Sequence, residues 1–235
     1  MSIYFKNMDV VVPGDVIAEG DFKIIEGAFR EHKKIIASII GILYFKKNTI
    51  RVVPLKGPYM PKRGDHVIGK IVDCSTVSWS VDIRAPYLGR LDATDYFGKP
   101  IDPSREDIRK TLKIGDIIFA KVAVVDRFTN PQLVAHGPAL GKLIKGKIVE
   151  VEPLRIPRIL GKNRSMIKML REVTKAEIKV GNNGRIWIRS PDPEIEKLLI
   201  KVIKKIERES HVPGLTERIR KTLLNELKDK LGEFK

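Results

Sequence analysis

Residues 161–164 read Gly-Lys-Asn-Arg and lie between two stretches of helical pattern. A loop so placed presents backbone N–H groups to a phosphate, and the start of the following helix adds the positive end of its dipole. Gly161 keeps the backbone close, Lys162 and Arg164 supply charge, Asn163 shares the loop, and Lys168 follows one turn later. A second glycine at 164 would complete a Gly-x-x-Gly phosphate clamp, but arginine stands there. Its guanidinium either obstructs close approach or replaces N–H contacts with a fork to a phosphate. The plainer reading is a basic residue solvating a helix start. A second group of residues comes earlier: Lys70, Arg84, Tyr87, Arg90, Lys121, Arg127 and His136. Bases interleaved with an aromatic on a strand-rich segment suit single-stranded nucleic acid. Arg84 and Tyr87 fall on the turn 84–90, where exposure is expected. Each of these residues taken singly reads as ordinary surface, so the case rests on the cluster.

Other chemistry finds little support. No Walker-type, dinucleotide-binding, zinc-protease or nucleophile-elbow motif occurs. His32, His66, His136 and His211 are scattered at spacings that do not suit a metal, and Asp92 and Asp95 stand alone. No cofactor, metal or catalytic residue is expected, and the chain does not read as an enzyme. Cys74 is the single cysteine, which excludes an internal disulfide and fits a reducing cytoplasm. The longest apolar run, 35–45, is interrupted by Ser38 and Gly41, so no membrane span is expected. The formal net charge is +16, of which +9 falls in 141–211. A thermophile surface of ion pairs would spread that excess more evenly, so a polyanion is the expected partner.

These groups must be held by elements, and one signal recurs. Gly-Asp pairs at 14–15, 64–65 and 115–116 each precede an alternating apolar strand. Glycine supplies positive φ, and the aspartate bonds its own backbone two residues on. Residues 1–62 read as a small all-β domain with strands in 8–12, 15–20, 34–43 and 49–55. The Pro- and Gly-rich stretch 55–65 marks a boundary. Residues 63–140 read as five strands of an OB-type Greek-key barrel, with a short helix in 104–112 capped by Ser104. Along 77–84, Val77, Trp79, Val81 and Ile83 share one face, which makes Trp79 a core residue or, less simply, a stacking platform. Residues 141–211 read β-α-α-β-β-α. The first strand covers 142–154, and the helix 165–174 carries Met166, Leu170 and Val173 on one side. The hairpin 176–189 turns at Gly181-Asn182-Asn183-Gly184, and a last helix is capped by Asp192. Residues 212–235 form one amphipathic helix, with Ile219, Leu223, Leu227 and Leu231 in a stripe that packs on its own chain or docks on a partner.

At this point the sequence resembles known families. Residues 63–134 resemble the OB-type barrel named after ribosomal protein S-one. Residues 155–189 resemble a type I KH domain of the variant with a Gly-x-Asn-Gly signature, here Gly181, Asn182, Asn183 and Gly184, followed by Trp187. A small all-β domain, then this barrel, then this KH variant resembles the RNA-binding cap subunits of the archaeal exosome over roughly 5–210. The resemblance implies a multidomain chain, mainly β then α+β, divided at 1–62, 63–140, 141–211 and a C-terminal helix 212–235. It implies a non-catalytic subunit that binds single-stranded RNA, three copies capping a hexameric RNase PH-like ring, with other cap subunits as further partners. The N-terminal domain would dock on the ring, and Arg84, Arg90 and Arg127 would face its pore. Arg164 departs from the family's clamp and puts phosphate clamping there in doubt. The 181–184 turn would be mainly structural, with Gly184 setting the geometry and Asn183 bonding locally. The alternative is a free-standing RNA chaperone or translation-associated RNA binder built from the same modules.

Overall fold

A computed structural model describes residues 2–55, 57–102, 107–126, 128–209 and 214–232. It resolves into two compact units, Met1–Gly57 and Pro58–Lys235.

The first unit holds eight short strands: β1 (Ser2–Ile3), β2 (Val10–Val11), β3 (Val16–Glu19), β4 (Lys23–Ile24), β5 (Ala28–Glu31), β6 (Lys34–Ala37), β7 (Gly41–Lys46) and β8 (Thr49–Pro54). They form two four-stranded sheets, ordered β1-β3-β6-β5 and β2-β7-β8-β4. Ile17, Ile35, Leu43, Ile50 and Val52 are buried in one core. The run expected as one strand over 34–43 breaks at Ser38–Ile40 into β6 and β7, which belong to different sheets. Gly41 permits the new pairing, because a Cβ there would lie 2.4 Å from the Val53 carbonyl oxygen.

The second unit begins with the barrel. β9 (His66–Cys74), β10 (Ser78–Asp82), β11 (Gly89–Asp92), β12 (Ile117–Val124) and β13 (Gln132–Val134) run in the order β13-β11-β10-β9-β12, and β12 pairs with β13 to close the ring. Trp79 is buried in its core and donates from Nε1 to the Leu112 carbonyl at 3.2 Å, so it is no platform. Val77 lies outside that face and is exposed. A five-residue helix, α1 (Ala93–Phe97), follows β11. The expected helix near 104–112 is a 3-10 turn at Ile108–Lys110, whose N-cap is Asp107, accepting from the Arg109 N–H; Ser104 lies outside the described residues. All three Gly-Asp pairs make the same turn. The glycines sit at φ +97°, +93° and +94°. Each carboxylate accepts a backbone N–H from three residues upstream, Val12, Lys62 and Lys113, rather than two residues on.

The single strand expected over 142–154 is two. β14 (Gly141–Leu143) extends the barrel sheet alongside β12, and β15 (Lys147–Glu150) opens the next domain. Lys145 and Gly146 turn the chain at φ +61° and +84°, and the Trp187 indole N–H holds the Lys145 carbonyl at 2.8 Å. Then come α2 (Ile156–Leu160), α3 (Ser165–Thr174), β16 (Glu177–Val180), β17 (Arg185–Arg189) and α4 (Pro193–Arg208). The sheet is ordered β15-β17-β16, with both outer strands antiparallel to β17. Ile178, Ile186 and Ile188 meet Met166, Leu170, Leu199 and Ile203 in the core beneath the helices. Asp192 caps α4, accepting from the Glu194 N–H at 2.8 Å. The last helix, α5 (Leu215–Gly232), adds Leu215, Ile219 and Leu223 to that core with Leu227 packed against it, so the stripe as far as Leu227 packs on its own chain; the Leu231 side chain lies outside the described residues.

Candidate nucleic-acid interface

Two four-residue loops that begin with glycine define the site. The first, 181–184, joins β16 to β17 and is driven into the barrel. Asn183 is 0% exposed. Its Nδ2 donates to the carbonyls of Ile68 at 2.8 Å and Ile83 at 2.9 Å, and its Oδ1 accepts from the Ile68 N–H at 3.3 Å. The β9–β10 ladder ends at Asp82, so the carboxamide takes the place of the next rung and satisfies backbone groups that would otherwise be buried unpaired. Asn183 therefore does not bond locally. Asn182 adds its N–H to the His66 carbonyl at 2.7 Å and its Nδ2 to Asp65 at 2.6 Å. Gly184 sits at φ +82°, where a Cβ would strike the Val151 oxygen at 2.3 Å.

Charge reinforces this seam. Arg185 donates to the Asp82 carbonyl at 2.8 Å and its carboxylate at 2.6 Å, and reaches Glu150 at 3.0 Å. Burial alone would raise the Asp82 carboxyl, but the Arg185 hydrogen bond, the Arg84 N–H and the charges of Arg185 and Lys70 outweigh it. Its pKa falls below the usual range. Arg84, expected to face a pore, is half-buried and donates to the Val151 carbonyl at 2.7 Å. The positive φ of Arg84 (+56°) turns its side chain's backbone frame away from the strand run, and the Val151 acceptor takes its guanidinium. Below, Ile68, Leu143 and Trp187 pack as a small apolar cluster with Ile117 and Phe119. The barrel and the domain that follows it are thus fastened by apolar contact, backbone hydrogen bonds and ion pairs together.

The second loop, 161–164, has the opposite character. Lys162, Asn163, Arg164 and Lys168 are all exposed. Gly161, Asn163 and Arg164 sit at φ +74°, +52° and +60°, and the Arg164 N–H closes a turn on the Gly161 carbonyl at 3.0 Å. Arginine at a left-handed position is strained, which is the local reason a glycine would suit 164. A Cβ on Gly161 would lie 2.8 Å from the Met166 nitrogen, so the glycine is required by space as well as φ.

This loop forms one lip of a groove of about 590 Å³. Leu160, Arg164, Ile167 and Arg171 line one wall, residues 176–180 of the β16 segment the other, and His66, Phe119 and Pro138–Leu140 of the barrel close one side. Arg171 donates to the Ile178 carbonyl, and Lys179 donates to the Ala139 carbonyl at 2.7 Å. The lining joins the cations of Arg164, Arg171 and Lys179, the Glu177 carboxylate 3.9 Å from Lys179, apolar Leu160 and Ile167, and the rings of His66 and Phe119, which equips the groove to bind a charged chain carrying planar groups.

The remaining sequence candidates are dispersed. Lys70 and Lys121 are exposed on β9 and β12, and Tyr87 is 55% exposed. Arg90 pairs with Asp92 at 2.8 Å. Arg127 lies outside the described residues. Next to it Phe128 is 92% exposed, which makes it a ring that the sequence reading passed over. Asp95 accepts from Gln132 Nε2 at 2.9 Å, a structural tie. The groove residues His66, Phe119, Arg171 and Lys179 were also missed. The alternation of His66, Ile68 and Lys70 could have placed His66 on the barrel's outer face, but nothing local says that a second domain covers it.

Comparison with known proteins identifies the three domains. Residues 8–56 match the model of the exosome RNA binding protein RRP4 N-terminal domain, 59–142 that of the exosome complex component RRP40 S1 domain, and 146–194 that of a KH domain. The exosome complex component Rrp4 of Pyrococcus furiosus is 46% identical over 97% of this chain and 87% of its own length. That of Sulfurisphaera tokodaii is 43% identical over 99% and 94%. A solved structure described as an exosome complex RNA-binding protein superposes with a TM-score of 0.69 at 39% identity, covering 74% of this chain and 99% of its own.

Proposed function

The chain belongs to the Rrp4 family of exosome complex components, with RNA-binding S1 and KH domains, and on that premise we propose that it captures single-stranded RNA and passes its 3′ end to a degradative ring. In this reading three copies cap a hexameric RNase PH-like ring in the cytoplasm, other cap subunits can share it, and the ring does the chemistry. The observation that carries the reading is the groove edged by Arg164, Arg171 and Lys179 beside the barrel. Cations there neutralise phosphates, and on single strands log K falls by about 0.7 per phosphate contact per decade of salt. Such modest sites suffice when three copies surround one pore, because the effective RNA concentration is raised there. On the barrel, Lys70, Tyr87, Arg90 and Lys121 are exposed groups suited to guide the strand, and Arg84, held by the Val151 carbonyl, keeps a third of its side chain exposed beside them.

The first unit is suited to the ring itself. The outer face of its second sheet carries the cross-strand row Val10–Ile42–Val53 with Tyr44 beside it. Val10 and Tyr44 are exposed, as is Ile25. An apolar face of this kind on a soluble domain marks a protein contact. The test is native mass spectrometry of the chain recovered from its own host at mild salt, followed by degradation of a long single-stranded RNA. Three copies on a six-subunit ring, with faster degradation than the bare ring, are expected. Recovery as a monomer, or with ribosomes, would overturn the cap assignment and favour a free-standing RNA binder.

A further inference from the structure

The barrel contributes a feature to the groove that the KH fold does not contain. Lys121 stands opposite His66 in the β9–β12 register, and Phe119, two residues earlier, shares that face. The rings of His66 and Phe119 stack with centroids 5.5 Å apart and planes 19° from parallel. The Lys179 ammonium lies 5.4 Å from the Phe119 centroid, tethered by the Ala139 carbonyl. Phe119 is fixed from behind by the apolar cluster around Trp187, so the stack stands on a rigid base. His66 is half-buried at the groove's edge, its main-chain carbonyl bound to the Asn182 N–H. Burial, with Lys121 and Arg164 nearby, lowers the imidazole pKa against the smaller opposing pull of Asp65.

A flat ring stacked on a second ring and set among cations matches one ligand chemistry: a nucleobase flanked by phosphodiesters. Every base has a π-face, so stacking of this kind tolerates sequence. We infer that His66, stacked on Phe119, is the base platform of the groove, so that one nucleotide of single-stranded RNA bridges the barrel and the KH domain. This rests on the RNA-capture reading and deepens it: the two domains form a single composite site there.

The test titrates the full chain with a ten-nucleotide single-stranded oligoadenylate at fixed salt. His66→Ala should weaken binding about tenfold. Its melting temperature should stay close to the parent's, since the main-chain bond to Asn182 remains. His66→Trp should restore the affinity, and its added indole fluorescence should be quenched as the oligonucleotide binds. A purely packing role would give neither the rescue nor the quenching. If His66→Ala binds within twofold of the parent, or if His66→Trp shows no quenching on saturation, the platform is refuted. If the unaltered chain binds no oligoadenylate, the RNA-capture reading falls and this inference with it.

Discussion

The 181–184 and 161–164 loops look alike in sequence, and the structure uses them in opposite ways. Both begin with glycine, both carry an asparagine at the third position, and both connect elements of one KH domain. In the first, Asn183 is fully buried and spends three hydrogen bonds on the barrel. In the second, Asn163 is exposed, and the loop's charges face outward. A glycine-rich turn becomes a fastening where an incomplete ladder awaits it, and a ligand lip where nothing covers it. Substitutions in the first loop should therefore be read in stability, and substitutions in the second in binding.

The largest effect should come from the base of the fastening. Trp187→Ala removes a buried indole and its bond to Lys145, and should cost about 3–5 kcal/mol in denaturant unfolding. A loss below about 1 kcal/mol would mean that the seam is not closed in solution. Next, Asn183→Ala leaves the Ile68 and Ile83 backbone groups unpaired and should cost about 2–4 kcal/mol. Asn163→Ala, the matched change in the other loop, loses no buried hydrogen bond and should cost only about 1 kcal/mol, from its left-handed φ of +52°. Equal losses at the two asparagines would break the comparison.

The ion pair under the first loop gives a pH signature. The Asp82 carboxyl is held below its ordinary range in the fold. Its contribution is therefore present above the unfolded value of about 3.9 and is lost as pH falls through the folded one. Asp82→Asn should melt below the parent at pH 7, and the gap should narrow steadily below about pH 4. A gap that is independent of pH would show that the charge is not what Arg185 holds. Arg164→Gly, the other change in the exposed loop, should also have a small effect. Relief of the left-handed arginine should raise stability by about 1 kcal/mol or less. RNA affinity should change less than tenfold, about 1.4 kcal/mol. A larger change by titration would show that Arg164 dominates the lip.

What could be read from the sequence was what is local. The three Gly-Asp turns, the 165–174 helix and the Asp192 cap follow from residues within one turn of each other, and the structure repeats them. The hairpin at 181–184 was legible as a turn, but the destination of Asn183 was not: its acceptors lie 100 and 115 residues away. A separation of 67 residues likewise hid the partner of Arg84, which lies on a turn and donates to the Val151 carbonyl. The break between β14 and β15 was illegible because Ile144–Gly146 read as strand continuation, and only Trp187 from another strand explains the bend. The groove was half visible. Its lip at 161–164 has a motif, whereas its side wall, His66 and Phe119, comes from a domain whose own pattern gives no sign of a neighbour.

Hydrogen–deuterium exchange of the full chain, with and without single-stranded oligoadenylate, tests both loops at once. The amides of 181–184 should exchange slowly in the free protein and change little when RNA is added. Those of 161–167 and 176–180 should exchange faster in the free protein and gain protection on binding. Fast exchange at 181–184 in the free chain, or RNA-dependent protection that bypasses 161–167 and 176–180, would contradict the account.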